Sequence, residues 1–164
     1  MSRLALVSLV SLLFPLVAMA DEPAAKDEAQ PAKTQAELNK KLADDLTNVK
    51  FIGSFTVTGK EAAAPKEEEY TITSALKLPE PDLWLLKARI KYGETDQVVP
   101  IPLEIKWAGD TPVITLTNLA IPGLGTFTSR VVIYEGRYAG TWQHGDVGGH
   151  LFGRIEKLPA DETK

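Results

Sequence analysis

The sequence of 164 residues contains no cysteine. This absence excludes disulfide bonds, thiol catalysis, cysteine-ligated zinc, iron–sulfur clusters and an anchor on a lipid-modified cysteine. An excess of positive charge is also missing, since 18 Lys and Arg stand against 22 Asp and Glu and give a net charge of −4. Proteins that bind a phosphate backbone need a clustered basic face. We therefore expect no nucleic-acid partner.

Catalytic and cofactor motifs are equally scarce. The chain has no G-x-S-x-G, no H-E-x-x-H, no phosphate loop and no dinucleotide glycine fingerprint. The adjacent acids Glu67, Glu68 and Glu69 are interpreted as a solvated charge run, because adjacency in the sequence does not make a paired-carboxylate site. The sequence thus gives no support for an enzyme, and we expect no cofactor.

What the chain does contain begins with an export signal. Residues 1–20 carry one early cation, Arg3, then a long uncharged apolar run interrupted by Pro15, and the small-residue pattern Ala-Met-Ala at the end. This order is typical of a secretory signal peptide, and the run is shorter than the roughly 20 residues that a bilayer span needs. We predict cleavage after Ala20 and a secreted or periplasmic protein with no membrane span after cleavage. An uncleaved anchor is the alternative.

The segment after the signal has two parts. Residues 21–33 carry two prolines, four acids and no large apolar side chain, which predicts a flexible leader. From Thr34 the pattern changes, because Thr34 and Glu37 have the spacing of a capping box. Apolar side chains then recur at helical intervals on one narrow stripe: Leu38, Leu42, Leu46 and Val49. We predict one amphipathic helix within residues 34–50 that docks on the following domain.

From residue 51 to about residue 158 the hydrophobic period becomes two, with turn signals at short spacing. Eight strands are predicted, at residues 51–59, 68–78, 83–92, 98–107, 112–119, 126–134, 137–144 and 149–157. Their succession predicts an up-and-down antiparallel meander that closes as a small barrel, with a β-sandwich as the alternative. An outer-membrane barrel has the same strand count. Against it stand the 7% aromatic content, the preceding helix and the polar tail at residues 159–164.

The fourth predicted strand carries two prolines, Pro100 and Pro102, on the face opposite its apolar side chains. Proline cannot donate to a strand ladder, so these residues predict an edge or a poorly paired stretch. The apolar faces of the strands supply the residues that we expect in the core, which include Trp84, Ile90, Leu103, Ile105, Ile133 and Trp142.

A Glu-Gly dipeptide at residues 135–136 separates the sixth and seventh strands. It predicts a two-residue hairpin turn, because glycine takes the positive φ that primed turns need. In that register Ile133 lies opposite Tyr138, and Phe127 lies opposite His144.

The next turn, within the segment QHGDVGGH, leaves two registers open. A four-residue loop pairs Gly140 with Gly153, whereas a five-residue loop pairs His144 with His150. The four-residue loop is favoured because it buries Leu151 on the apolar face, where the other register buries charged side chains.

The only two histidines flank this turn, as His144-x-Asp146-x3-His150. Two imidazoles and a carboxylate around one turn could begin a zinc or copper site. The favoured register turns the two rings to opposite faces of the hairpin, so we interpret them as rim histidines. A metal site formed by His144, Asp146 and His150 in the five-residue loop is the alternative.

In the favoured register, Gly140 faces Gly153 on the inner side, next to Tyr138 and Trp142. We interpret the glycines as a bend covered by an aromatic ring. The alternative is that the missing side chains leave room for a small apolar ligand. The predicted ligand-binding residues are then Tyr138, Gly140, Trp142 and Gly153.

The C-terminal stretch YAGTWQH, continued by GGHLFGRI, looks like a segment found in small exported bacterial proteins of no assigned activity. Its triplet Gly140-Thr141-Trp142 is similar to the G-x-W signature of lipocalins and avidins. In those families the signature belongs to the first strand, and here it falls in the seventh. The resemblance implies a closed-barrel architecture and assigns no ligand-binding residue.

These observations together predict an exported, non-catalytic barrel that binds a small apolar ligand or a partner in the cell envelope. Two alternatives stay open. One is a metal-binding protein or metal-dependent enzyme that uses the histidine hairpin, and the other is a structural module of the envelope.

Overall fold

The computed structural model describes residues 33–92 and 95–159, with only the backbone given at positions 91, 92 and 95. The predicted signal peptide, the leader up to residue 32 and the tail from residue 160 lie outside the described residues. One helix, α1 (Gln35–Leu46), precedes eight strands. These are β1 (Val49–Phe55), β2 (Lys66–Lys77), β3 (Leu83–Tyr92), β4 (Thr95–Ala108), β5 (Thr111–Ile121), β6 (Gly125–Tyr134), β7 (Arg137–His144) and β8 (Val147–Lys157).

The strands form a closed barrel, because each pairs antiparallel with the next and β1 pairs with β8. The predicted up-and-down barrel is therefore confirmed, and the sandwich is not formed. Strands β3 and β7 have the predicted bounds, and the others differ by a few residues at their ends. Of the predicted core residues, Ile90 and Trp142 are half-buried against the core, and the other four are buried: Trp84, Leu103, Ile105 and Ile133.

Helix α1 begins with the predicted capping box. The Thr34 side chain accepts a hydrogen bond from the backbone N–H of Glu37 at 3.3 Å, and the Glu37 carboxylate accepts one from the Thr34 N–H at 2.8 Å. The helix ends at Leu46, because Asn48 has a left-handed φ of +53° and β1 starts at Val49. Lys157 of β8 donates to the carbonyls of Asp44 and Thr47, which ties this end of the helix to the barrel. No helix in the described part of the chain is long and apolar enough to cross a membrane.

Strands β4 and β5 pair only at one end, from Ala108 opposite Thr111 to Glu104 opposite Thr115. Residues 98–103 and 116–121 have no partner across this seam, and both prolines of β4 lie in that stretch. Beyond it, the Gln97 side chain donates to the carbonyl oxygen of Pro122 at 3.4 Å. Strand β5 also carries a bulge here, because its register with β6 shifts between Leu116 and Leu119 and Asn118 has a left-handed φ of +49°. The predicted poorly paired stretch of β4 is therefore confirmed on the side that faces β5, whereas the other side pairs continuously with β3.

The two C-terminal hairpins differ in how well the sequence predicted them. The Glu-Gly turn between β6 and β7 has φ values of +47° and +71°, as a type I′ turn requires, and the predicted register is confirmed. Both registers predicted for β7 and β8 are wrong. The turn contains only Gly145 and Asp146, and Gly145 takes a φ of +60°, so Gly140 lies opposite Leu151 rather than Gly153.

Candidate functional site

A carboxylate held by two tyrosines lies inside the barrel. Glu68 accepts a hydrogen bond from the Tyr138 hydroxyl at 2.8 Å on Oε1 and one from the Tyr70 hydroxyl at 3.0 Å on Oε2. The prediction of a solvated run of three acids is wrong for Glu68. Side chains alternate between the faces of β2, so the two flanking acids are exposed and the middle one points inward.

Burial sets the protonation of this cluster. It raises the pKa of Glu68, although the hydrogen bonds from Tyr138 and Tyr70 act in the opposite direction. Burial and the neighbouring carboxylate raise the pKa of both tyrosine hydroxyls. Both phenols therefore stay protonated and act as hydrogen-bond donors to Glu68.

Glycines make room for the Tyr138 ring. Gly53 lies opposite both Gly153 and Glu68. A Cβ atom on Gly53 would lie 2.4 Å from the Tyr138 hydroxyl, and one on Gly153 would lie 2.7 Å from the edge of the same ring. The ring also packs against Phe51, with centroids 5.0 Å apart. The glycine that faces Gly153 is thus Gly53 and not Gly140 as predicted, and Tyr138 is the aromatic ring that covers the pair.

The structure brings only part of the predicted ligand-binding set together. Tyr138 and Gly153 are in contact, and their ring and backbone occupy the space beside Gly53. Trp142 lies nearer the β7–β8 turn, where its Nε1 donates to the Thr56 carbonyl at 3.1 Å. Gly140 permits a close backbone approach instead, because a Cβ there would lie 1.9 Å from the carbonyl oxygen of Arg130.

The two histidines occupy opposite faces of the hairpin, as predicted. His144 stacks on Phe127 with ring centroids 4.5 Å apart. His150 lies opposite Thr141 on the outer face, with its Nδ1 3.4 Å from the Thr56 hydroxyl. Asp146 is exposed in the turn between them. Within residues 33–92 and 95–159, no three His, Asp or Glu side chains are placed to hold a metal ion. The metal hypothesis therefore gains no support from the geometry.

A concave site lies where α1 covers one end of the barrel. The helix packs against β2. Between the helix and the turns that follow β4 and β6 there is a cleft of about 410 Å³. Its apolar lining includes Leu38, Leu42, Trp107, Pro112, Ile133 and Ile155. Charged side chains surround it, and they include Lys33, Lys41, Asp45, Asp110, Glu135 and Lys157.

The sequence predicted that the helix docks on the barrel but did not locate this cleft. The sequence did contain one indication of an apolar site at this end of the barrel. Trp107 continues the apolar face of β4 up to the turn that follows it. In comparisons with known proteins, no family model matches the chain, and no curated protein or solved structure is significantly similar to it.

Proposed function

We propose that this protein is a non-catalytic binding protein of the extracytoplasmic space that holds a small apolar molecule in the cleft beneath α1. The observation that carries the proposal is the cleft itself, with an apolar lining and a charged rim. Its volume of about 410 Å³ is within the range of small-molecule sites, which are mostly apolar with a few polar groups at fixed positions.

The charged groups around the cleft support binding rather than chemistry. Lys41 forms an ion pair with Asp45 along the helix, and Lys157 donates to carbonyls at the helix C-terminus. The first pair lies within the helix, and only the Lys157 bonds tie α1 to the barrel. The interior carboxylate, Glu68, is occupied by two tyrosine hydroxyls. A general acid or base needs a free path to its substrate, and these arrangements do not offer one.

The location in the proposal comes from residues 1–20, whose cation, apolar run and small-residue end have the order of a secretory signal. A protein exported without cysteine depends on its apolar core for stability, and the barrel interior provides that core.

A titration with Nile red, a neutral fluorophore that brightens in apolar surroundings, tests the proposed site. We expect saturable binding by the mature protein with one site per chain. Thr111 lies at the cleft, so Thr111→Trp should fill it and weaken binding by about tenfold or more. Thr126→Trp is the matched control, because Thr126 is exposed at the start of β6, outside the cleft lining.

Equal affinity in the two tryptophan variants would exclude the cleft as the binding site. If no saturable binding occurs at all, the proposal fails, and a partner in the cell envelope becomes the leading function. Native mass spectrometry of the protein purified without detergent provides a second readout, since a retained apolar molecule should be lost in Thr111→Trp but not in Thr126→Trp.

A further inference from the structure

Arginines are concentrated on one outer face of the barrel. Of the four arginines in the described residues, three lie on the neighbouring strands β6, β7 and β8: Arg130, Arg137 and Arg154. Arg130 is committed to β5, because it donates to the Leu116 carbonyl and to the Thr117 hydroxyl at 2.9 Å, which leaves Arg137 and Arg154. A guanidinium group suits carboxylates and phosphates, because its planar set of N–H donors can bind two oxygens at once.

Two of these arginines face each other in a way that the fold does not explain. Arg137 and Arg154 lie directly opposite on β7 and β8. Like charges in this position destabilise a sheet. Arg154 has one acidic neighbour, Glu156, which accepts from its Nε. The parts of the chain that the structure describes provide no ion-pair or hydrogen-bond partner for the Arg137 guanidinium. Positive charge is thus left available for a ligand.

The facing arginines border an open groove on the barrel wall of about 250 Å³. Its floor is the backbone of the Gly53–Gly153 pair, whose side-chain positions point into the barrel toward Tyr138. The walls are partly apolar, because Ile52 lies on one side and Phe152 lies close to the arginines. Phe152 remains 46% exposed, although it is a large apolar side chain.

We propose that this groove binds an organic anion, a carboxylate or phosphate monoester carried on an apolar group. The anionic oxygens accept hydrogen bonds from Arg137 and Arg154, and the apolar group lies against Phe152 and Ile52. Of the nearby acids, Glu69 is paired with Lys50 at 3.2 Å. Glu156 accepts from Nε of Arg154, so the anion shares that guanidinium and binds its terminal nitrogens, while Arg137 supplies the charge that no acid offsets in the described residues. The groove shares no lining residue with the cleft beneath α1, so either proposal can fail alone.

Isothermal titration calorimetry with phenyl phosphate tests the groove. Inorganic phosphate, which has only the anionic group, and benzyl alcohol, which has only the aromatic group, are the comparison ligands. We expect saturable binding of phenyl phosphate, weaker binding of inorganic phosphate, and none of benzyl alcohol at this site. Arg137→Gln and Arg154→Gln should each weaken phenyl phosphate binding by about tenfold. The matched control is Lys87→Gln, which removes an exposed cation from β3 and should leave the affinity unchanged.

Thermal unfolding separates a binding role from a structural one. Arg137→Gln relieves the repulsion between facing cations, so its Tm should equal or exceed that of the wild type while its affinity falls. Phe152→Ser should weaken phenyl phosphate binding but not inorganic phosphate binding.

Three outcomes would overturn the proposal: no saturable binding of phenyl phosphate, equal affinity in the wild type and both arginine variants, or inorganic phosphate bound as tightly as its phenyl ester. Nile red binding should be the same in all groove variants. If Arg137→Gln loses Nile red binding while its Tm equals that of the wild type, the groove and the cleft beneath α1 are not independent sites.

Discussion

At the scale of single residues, the barrel contains an inward carboxyl group that was not predicted from the sequence. Glu68 belongs to a run of three acids, and only its position on β2 places its side chain toward the interior. Its neighbours across the strands are consistent with that position, because Gly53 leaves space and Tyr138 supplies a hydroxyl donor. Sequence alternation alone could have identified the inward carboxylate, since it shares a face with Tyr70 and Ile72. It could not have identified Tyr138 as the partner, which requires the closure of β1 on β8.

The raised pKa of Glu68 predicts how stability depends on pH. A carboxyl whose pKa is higher in the folded state than its unfolded value of 4.5 contributes stability that is full below pH 4.5 and is lost as the pH rises through the folded value. Glu68→Gln keeps an acceptor for the tyrosines and removes this titration.

The free energy of unfolding of the wild type minus that of Glu68→Gln should therefore decrease from pH 4 to pH 8, measured by urea denaturation. A difference that increases over this range would show that the tyrosine hydrogen bonds outweigh burial. Glu67→Gln, at the exposed neighbouring position, is the matched control for the loss of a carboxyl from β2.

At the scale of elements, the period-two pattern was sufficient for eight strands and one closed barrel, whereas the last turn was not predictable from burial alone. The segment QHGDVGGH offers several glycines for a turn, and three registers keep Leu151 or Phe152 in contact with the core. The deciding feature is that interior aromatics lie opposite glycines: Tyr138 faces Gly153 and Trp142 faces Gly149. Both aromatics and both glycines are spaced four residues apart, so this pattern was present in the sequence as a signal for the register.

The parted seam between β4 and β5 predicts a local difference in backbone protection. Amides of residues 116–121 that face β4 have no partner across the seam, so they should exchange with solvent faster than amides in the continuously paired strands β3 and β7. Gln97 spans the far end of the seam, so Gln97→Ala should increase exchange there by up to about tenfold. The matched control is Gln143→Ala, which removes a similar side-chain bond to the Gly145 carbonyl in a fully paired hairpin. Equal exchange in the two variants, read by mass spectrometry, would show that the Gln97 contact does not hold the seam.

For the whole molecule, the sequence predicted a helix and a barrel but not how they meet. The apolar stripe of α1 identified the residues that must be covered, and all three of its leucines are buried. Which end of the barrel covers them depends on tertiary contacts that no local pattern encodes, such as the bond from Lys157 to the helix carbonyls. The cleft beneath α1 and the groove beside Arg137 and Arg154 could not be located from the sequence for the same reason. Each is lined by residues far apart in the chain, which strand closure brings together at the groove and helix docking brings together at the cleft.

Helix α1 and the barrel should unfold as one cooperative unit, because the buried stripe of the helix belongs to the same core as the strands. Leu42 is 3% exposed, so Leu42→Ala should lower the free energy of unfolding by about 2–5 kcal/mol. Leu76→Ala is the matched control, since Leu76 on β2 is 55% exposed and its truncation should change the value by no more than about 0.5 kcal/mol. Urea denaturation followed by far-ultraviolet circular dichroism and by tryptophan fluorescence should give coincident transitions in both variants. If Leu42→Ala instead separates an early loss of helix from an unchanged barrel transition, α1 is an independent lid, and the cleft beneath it opens without unfolding the core.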